Sequence, residues 1–383
     1  MTQLATASRP VITEPAVAAT PSAPRGDRRL PSLTGLRWAA AFVVFGLHIS
    51  VSGLFTNDSR AEHVAMVLFG NGASGVSFFF ILSGFVMMWA FRPDDRPLRF
   101  WRRRVARIYP VHVITALAAI LLALALKSED LPKPGPALTN LLLIHAWWPD
   151  YAHNQSMDKV SWSLACEAFF YLVFPFVGPL AHRLSARAAT VMAGGSAVIA
   201  MAIPIAAHAE NVHWPVHILP IARVFEFTLG IALARLVVLG RWRGPGMEVS
   251  LAVTLIGYFT APALPYDYGY IVPTLIGFAL LIPAAATADL RGAASVWRSP
   301  VMIRLGELSF SFYMVHLLVM HAVRALFPKL KHIESIPGSL TAAGIFTLAL
   351  GVTWLTYRYV EVPANRLIMG RSTLFRRRVA VTS

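Results

Sequence analysis

The sequence predicts an all-α, polytopic membrane protein of about ten transmembrane helices, with N- and C-termini cytosolic. Three observations predict it. Of 383 residues, 56 % are hydrophobic and only 14 % are charged, whereas a soluble domain carries about 25 % charge. Mean hydropathy is +0.58, and one soluble core of this length could not hide that much apolar surface. Long apolar runs alternate with Arg-rich loops, as the positive-inside rule asks of a chain that crosses a bilayer repeatedly. These features exclude an ordinary soluble enzyme and a disordered protein. The formal charge of +15 would point to nucleic acid in a soluble chain. Here the basic residues lie between apolar runs, so topology accounts for them and no nucleic acid is expected.

Residues 1–30 are rich in Ala, Pro, Thr and Arg. They lack the apolar core of a signal peptide and are expected to form a disordered cytosolic tail. A span needs about 20 apolar residues to cross about 30 Å of hydrocarbon. Ten runs meet that need: 36–54, 71–91, 108–126, 161–180, 188–206, 218–239, 247–264, 270–287, 308–326 and 339–357.

The first run carries Arg37 and His48, eleven residues apart. That spacing advances about 1100° and rises about 16 Å, so both side chains share one helix face. Ionisable groups inside spans are costly and mark functional sites. A shared face sets these two along one aqueous cleft. The second run holds Gly75, Ser83 and Gly84 around an aromatic stretch, small residues that let helices pack closely. After it come Arg92, Arg96, Arg99, Arg102, Arg103, Arg104 and Arg107. Arg104 and Arg107, three apart at the mouth of the third run, face one way and could clamp phosphate oxygens. The run 138–148 is too short to span and reads as an interfacial or re-entrant piece, with Trp147 and Trp148 at headgroup level.

The fourth run contains Glu167. A carboxylate there needs a partner, and a catalytic histidine is the functional one. Its neighbour Cys166, the single cysteine, reads as packing and excludes both a disulfide framework and a CxxC metal site. In the sixth run Arg223 and Glu226 are three apart and read as an internal ion pair. In the ninth, His316 and His321 are five apart and point to different faces, so no metal site is expected. The fifth, seventh, eighth and tenth runs supply no site candidate.

Charge sets the orientation. With ten spans and the N-terminus inside, the Arg92–Arg107 loop, Arg183, Arg187, Arg241, Arg243, Arg291, Arg298, Arg304 and the tail Arg371, Arg376, Arg377 and Arg378 all fall on the cytosolic side. The five lysines, Lys127, Lys133, Lys159, Lys329 and Lys331, then fall outside. The expected domains are a tail at 1–30, a membrane domain at 31–366 and a basic cytosolic tail at 367–383.

Six motifs in order carry a family resemblance. They are Arg37-WAAAFVVFGL-His48; Gly-Val-x-x-Phe-Phe-x-Leu-Ser-Gly-Phe from Gly75 to Phe85; Arg104-x-x-Arg107; Trp-Ser-Leu-x-x-Glu from Trp162 to Glu167; Leu-Gly-x-x-Ser-x-Ser-x-Tyr-x-x-His from Leu305 to His316; and Glu361-x-Pro363-x-x-Arg366. Together, over about residues 31–366, they resemble the acyltransferase 3 family of integral membrane O-acyltransferases. The chain departs from the family pattern at Ser77, where Asp is common, and at Ala168 and Phe169, where a second acid and Gln are common. No soluble domain is expected after the last run.

The resemblance implies transfer of an acyl group, commonly acetyl, from acyl-CoA to a hydroxyl of a sugar, a cell-envelope glycan or a glycosylated natural product such as a macrolide. It implies no bound cofactor, acyl-CoA being a substrate, and a multi-pass location in the plasma membrane. It assigns CoA phosphates to Arg104 and Arg107 with help from Arg103. Arg37 would hold the donor or polarise its thioester. His48 would be the general base or a transient acyl carrier, with Glu167 as its orienting partner. Trp162, Tyr313 and His316 fall at the acceptor end. The Arg bias and the apolar Ala168 and Phe169 lean toward a natural-product-tailoring member. The rival readings are a secondary transporter of a glycosylated or anionic solute, with the same residues as a proton relay, and a structural membrane partner docking anionic lipid through the Arg loop.

Overall fold

The computed structural model describes residues 29–126, 131–212, 215–265, 268 and 271–370. Both expected tails lie almost wholly outside the described residues, as does Lys127. Within them the chain is helical, without a strand; one isolated bridge joins Phe55 to Ile333. In order the helices are α1 (Pro31–Ser50), α2 (Arg60–Phe69), α3 (Ser74–Trp89), α4 (Pro97–Leu126), α5 (Pro134–Leu141), α6 (Tyr151–Asn154), α7 (Trp162–His182), α8 (Ala186–Ala209), α9 (Pro220–Val238), α10 (Met247–Thr260), α11 (Val272–Leu290), α12 (Pro300–Leu326), α13 (Ser335–Thr356) and α14 (Val362–Met369).

Local chemistry sets many of the starts. Pro31, Pro97, Pro220 and Pro300 open their helices, where a missing N–H costs nothing. Ser59, Ser185 and Ser299 accept the backbone N–H groups of Glu62, Ala188 and Met302, which satisfies donors that have no partner within the helix.

Eight helical stretches among the described residues are long and apolar enough to cross a membrane. They are α1, α2 and α3 as one stretch, α4, α7, α8, α11, α12, and α13 to α14 as one stretch. The other two expected runs are helical as well. In α9 the apolar sequence is broken by Arg223, Glu226 and Arg235, and the stretch Met247–Ala263 is shorter than a full span. The 138–148 segment forms the end of α5 and a 3-10 turn at His145–Trp147, too short to cross.

Helix α9 packs against α3 and α8. Its contact with α3 is backbone to backbone: a Cβ on Gly84 would strike the Phe227 carbonyl, and one on Gly230 would strike the Ile81 carbonyl. This close approach is what small residues in a span allow. It buries Arg223 and Glu226 completely. They pair at 2.8 Å, Arg223 Nη2 donates to Ser77 Oγ at 3.0 Å, and the guanidinium lies 4.9 Å from the Phe80 ring centre. The expected internal ion pair is therefore present and takes in Ser77. Helix α1 packs along α12 through Trp38, Phe45 and Phe312. Both helices begin at one end of the bundle and finish at the other, and a cavity lies at each end.

Candidate active site

The first cavity, about 160 Å³, lies where α1, α4 and α12 begin. Arg37 on α1, Arg104 and Arg107 on α4, Glu167 and Tyr171 on α7, and Tyr313 on α12 line it. Its arginines differ in their partners. Arg107 is ion-paired with Glu361, whose other oxygen accepts from Ser311 Oγ at 2.6 Å. Glu361 reaches this position from a π-helical turn, Tyr357–Glu361, between α13 and α14, the kind of helix distortion often found at functional sites. Arg104 stacks over Phe100 and Tyr171, and its buried Nε has no hydrogen-bond partner among the described residues. Arg37 likewise forms no hydrogen bond or ion pair with a described residue, although its charge is felt by Glu167. Glu167 accepts from the Tyr171 hydroxyl at 3.0 Å. The cavity thus presents two unpaired guanidiniums against one carboxylate, an arrangement that favours an anion.

The second cavity is larger, about 1010 Å³, and lies where α1 and α12 finish. His48, His63, His217 and His321 line it, with Lys159, Arg324 and Trp162. His48 is partly exposed to it. Its Nδ1 sits 2.9 Å from Nε2 of His316. His316 is fully buried, and its own Nδ1 is 3.1 Å from the Phe312 carbonyl. Val76 and Tyr313 line both cavities and form the wall between them. The Tyr313 hydroxyl is 2.8 Å from Ser163 Oγ and donates to the Val160 carbonyl at 3.3 Å. Beneath this wall, Asp158 in the loop before α7 is 1 % exposed. Burial pushes its carboxyl up to about 7.

The residues singled out in the sequence are partly regrouped. Arg37, Arg104, Arg107 and Glu167 do come together. Arg103 does not join them: it forms a salt bridge with Asp95 and is absent from the cavity lining, because it projects from α4 toward the preceding loop. Arg37 and His48 share α1 but open into different cavities, so the single cleft is replaced by two chambers with a common wall. Glu167 is not the partner of His48. Glu167 is held by Tyr171 in the first chamber, and His316 takes the place beside His48. His316 is thus behind the histidine rather than among the acceptor-facing groups. Trp162 and Tyr313 do face the second chamber. Cys166 is buried and its Sγ donates to the Ile218 carbonyl at 3.1 Å, as a packing residue would. Among the described residues no cluster of His, Cys, Asp or Glu is arranged to hold a metal ion. Sequence reasoning missed Glu361 as a site residue, although an acid just past an apolar run was a visible signal. It also missed His63 and His217, which sit in loops or short helices and carry no spacing signal.

A family model described as an acyltransferase domain matches residues 30–358. Acyltransferase MdmB of Streptomyces mycarofaciens is 35 % identical over 359 residues, covering 89 % of this chain and 92 % of that protein. O-acetyltransferase OatA of Staphylococcus aureus (strain NCTC 8325 / PS 47) is 29 % identical over 175 residues, 42 % of this chain and 26 % of that longer protein. No solved structure matches the chain. The unpaired arginines and the His48–His316 pair therefore sit within the matched region, and the chain belongs to the acyltransferase domain family of membrane-embedded acyltransferases.

Proposed function

We propose that this acyltransferase takes an acyl group, acetyl in the simplest case, from acyl-CoA in the arginine-lined chamber. It passes the group to a hydroxyl in the histidine-lined chamber. The acceptor is a sugar, a cell-envelope glycan or a glycosylated natural product such as a macrolide. One observation carries this reading: two unpaired guanidiniums and an imidazole line two cavities that share Val76 and Tyr313 as a wall. The guanidiniums suit CoA phosphates or the thioester oxygen. The imidazole suits removal of a hydroxyl proton. Arg104 and Arg37 hold the donor, Arg107 is steadied by Glu361, and Glu167 sets one negative charge beside the two unpaired guanidiniums. Arg103 supports the loop instead.

In this reading the protein lies in the plasma membrane as a ten-helix bundle over residues 31–366, with cytosolic termini. The arginine chamber then faces the cytosol and the histidine chamber faces outward. No bound cofactor is needed. The likeness to acyltransferase MdmB supports acyl transfer, and the apolar Ala168 and Phe169 favour a natural-product acceptor.

The test is transfer of label from [¹⁴C]acetyl-CoA by protein in lipid nanodiscs, with a panel of glycosides and macrolides. An ester-linked label on one of them is the expected result. Acceptor movement across vesicles driven by an ion gradient, with the thioester intact, would instead make the protein a transporter.

A further inference from the structure

We infer that His316 is a positioning residue that locks His48 into one tautomer and so leaves Nε2 of His48 as the proton-accepting atom; this rests on the acyl-transfer reading above. The inference follows from hydrogen-bond accounting. A neutral imidazole has one N–H and one lone pair. The Phe312 carbonyl can only accept, so His316 must carry its hydrogen on Nδ1 to make the 3.1 Å contact. Its Nε2 is then the lone pair. That lone pair lies 2.9 Å from Nδ1 of His48, so His48 must carry its hydrogen on Nδ1. The remaining nitrogen of His48, Nε2, is bare.

The backbone of α12 thus sets the protonation pattern of a side chain on α1. The opposite pattern would set two lone pairs against each other inside a protein core, where an unmade hydrogen bond is costly. His316 is fully buried and touches neither ligand in this scheme. Its place corresponds to the third group that orients a base in many acyl-transfer sites.

The reaction balances with this assignment. Nε2 of His48 takes the proton from the acceptor hydroxyl as that oxygen bonds to the thioester carbon. Nδ1–H stays on His48 and bonds more strongly to His316 once the ring is cationic. The carbon–sulfur bond then breaks, the electron pair leaves on sulfur, and the proton on Nε2 passes to the CoA thiolate. The products are the ester and free CoA thiol.

The experiment compares His316→Leu with His316→Gln in the nanodisc transfer assay. Glutamine can donate to Phe312 and accept from His48; leucine can do neither. The leucine variant should lose kcat about 30-fold with KM for both substrates within about twofold, and glutamine should restore kcat to within about threefold of wild type. Equal activity of the two variants, or a loss confined to KM, would overturn the assignment. If the leucine variant no longer binds CoA, the ¹⁵N spectrum of histidine-labelled wild-type protein decides. A His48 signal protonated at Nδ1 supports the lock, and one protonated at Nε2 ends it. Inactivity of wild type, or full activity of His48→Ala, would instead defeat the broader reading.

Discussion

At the start of α1, Arg37 and Arg104 face a cavity of about 160 Å³ without an ion-pair partner, while Arg107 beside them is neutralised by Glu361. At the far end of the same helix, His48 faces a cavity of about 1010 Å³ and is already held from behind by His316. A guanidinium keeps its charge at any accessible pH, so it can hold an anion but cannot shuttle a proton. An imidazole can do the second. One helix therefore delivers a fixed charge to one chamber and a titratable imidazole to the other. In the buried Arg223–Glu226 pair elsewhere, each charge instead has an opposite charge beside it. The difference between a partnered and an unpartnered charge separates scaffold from site more clearly than burial does.

The largest effect expected from breaking this contrast is at the histidine end. His48→Ala should lower kcat/KM by about a thousandfold, within the range of general-base catalysis, while CoA affinity stays within about twofold. Steady-state transfer and calorimetry on the same preparation check both halves. The next largest is at the arginine end. Arg37→Gln should raise the donor KM by about tenfold to a hundredfold, as expected for a lost charge-assisted contact worth about 1.5–3 kcal/mol. Arg223→Gln should act differently, leaving Glu226 buried without its partner and lowering the amount of folded protein rather than donor affinity. Thermal unfolding in detergent reports that distinction.

The wall between the chambers gives smaller effects. Tyr313→Phe removes the contacts to Ser163 and Val160. A lost neutral hydrogen bond is worth about 1 kcal/mol, so transfer should fall about fivefold with donor affinity retained. The smallest effect concerns Asp158 beneath it. Its carboxyl in the folded protein titrates near about 7, well above the usual carboxylate range. The unfolded chain releases that proton first, so stability is full in acid and declines as pH rises toward 7. Wild type should unfold at a lower temperature at about pH 8 than at about pH 5, and Asp158→Asn should flatten that slope. An unchanged slope in the variant would show that the carboxyl is not the source.

What could be read from the sequence was what helix geometry decides locally. The shared face of Arg37 and His48, the Arg104–Arg107 pair and the Arg223–Glu226 bridge all lie within one helix, where spacing fixes direction. The His48–His316 contact joins positions 268 apart, and no periodicity carries that information. Nor could spacing tell that Asp95 claims Arg103 or that Glu361 claims Arg107, since both partners come from outside the third run. Glu167 meets a different neighbour from the one expected for the same reason: its depth in a span shows that it needs a partner, but only the packing of α7 beside the arginines sets it with Tyr171 rather than His48. The small residues of α3 showed close packing in advance, but not that α9, charged as it is, would be the helix packed there.

In the proposed reaction the donor's negative charge is read by the unpartnered arginines Arg37 and Arg104. Calorimetric titration of CoA into the wild-type protein and into Arg104→Gln and Arg103→Gln tests it most directly. Wild type should bind CoA measurably, Arg104→Gln at least about tenfold more weakly, and Arg103→Gln about as well as wild type. Equal weakening of the two variants, or no CoA binding by wild type, would contradict it.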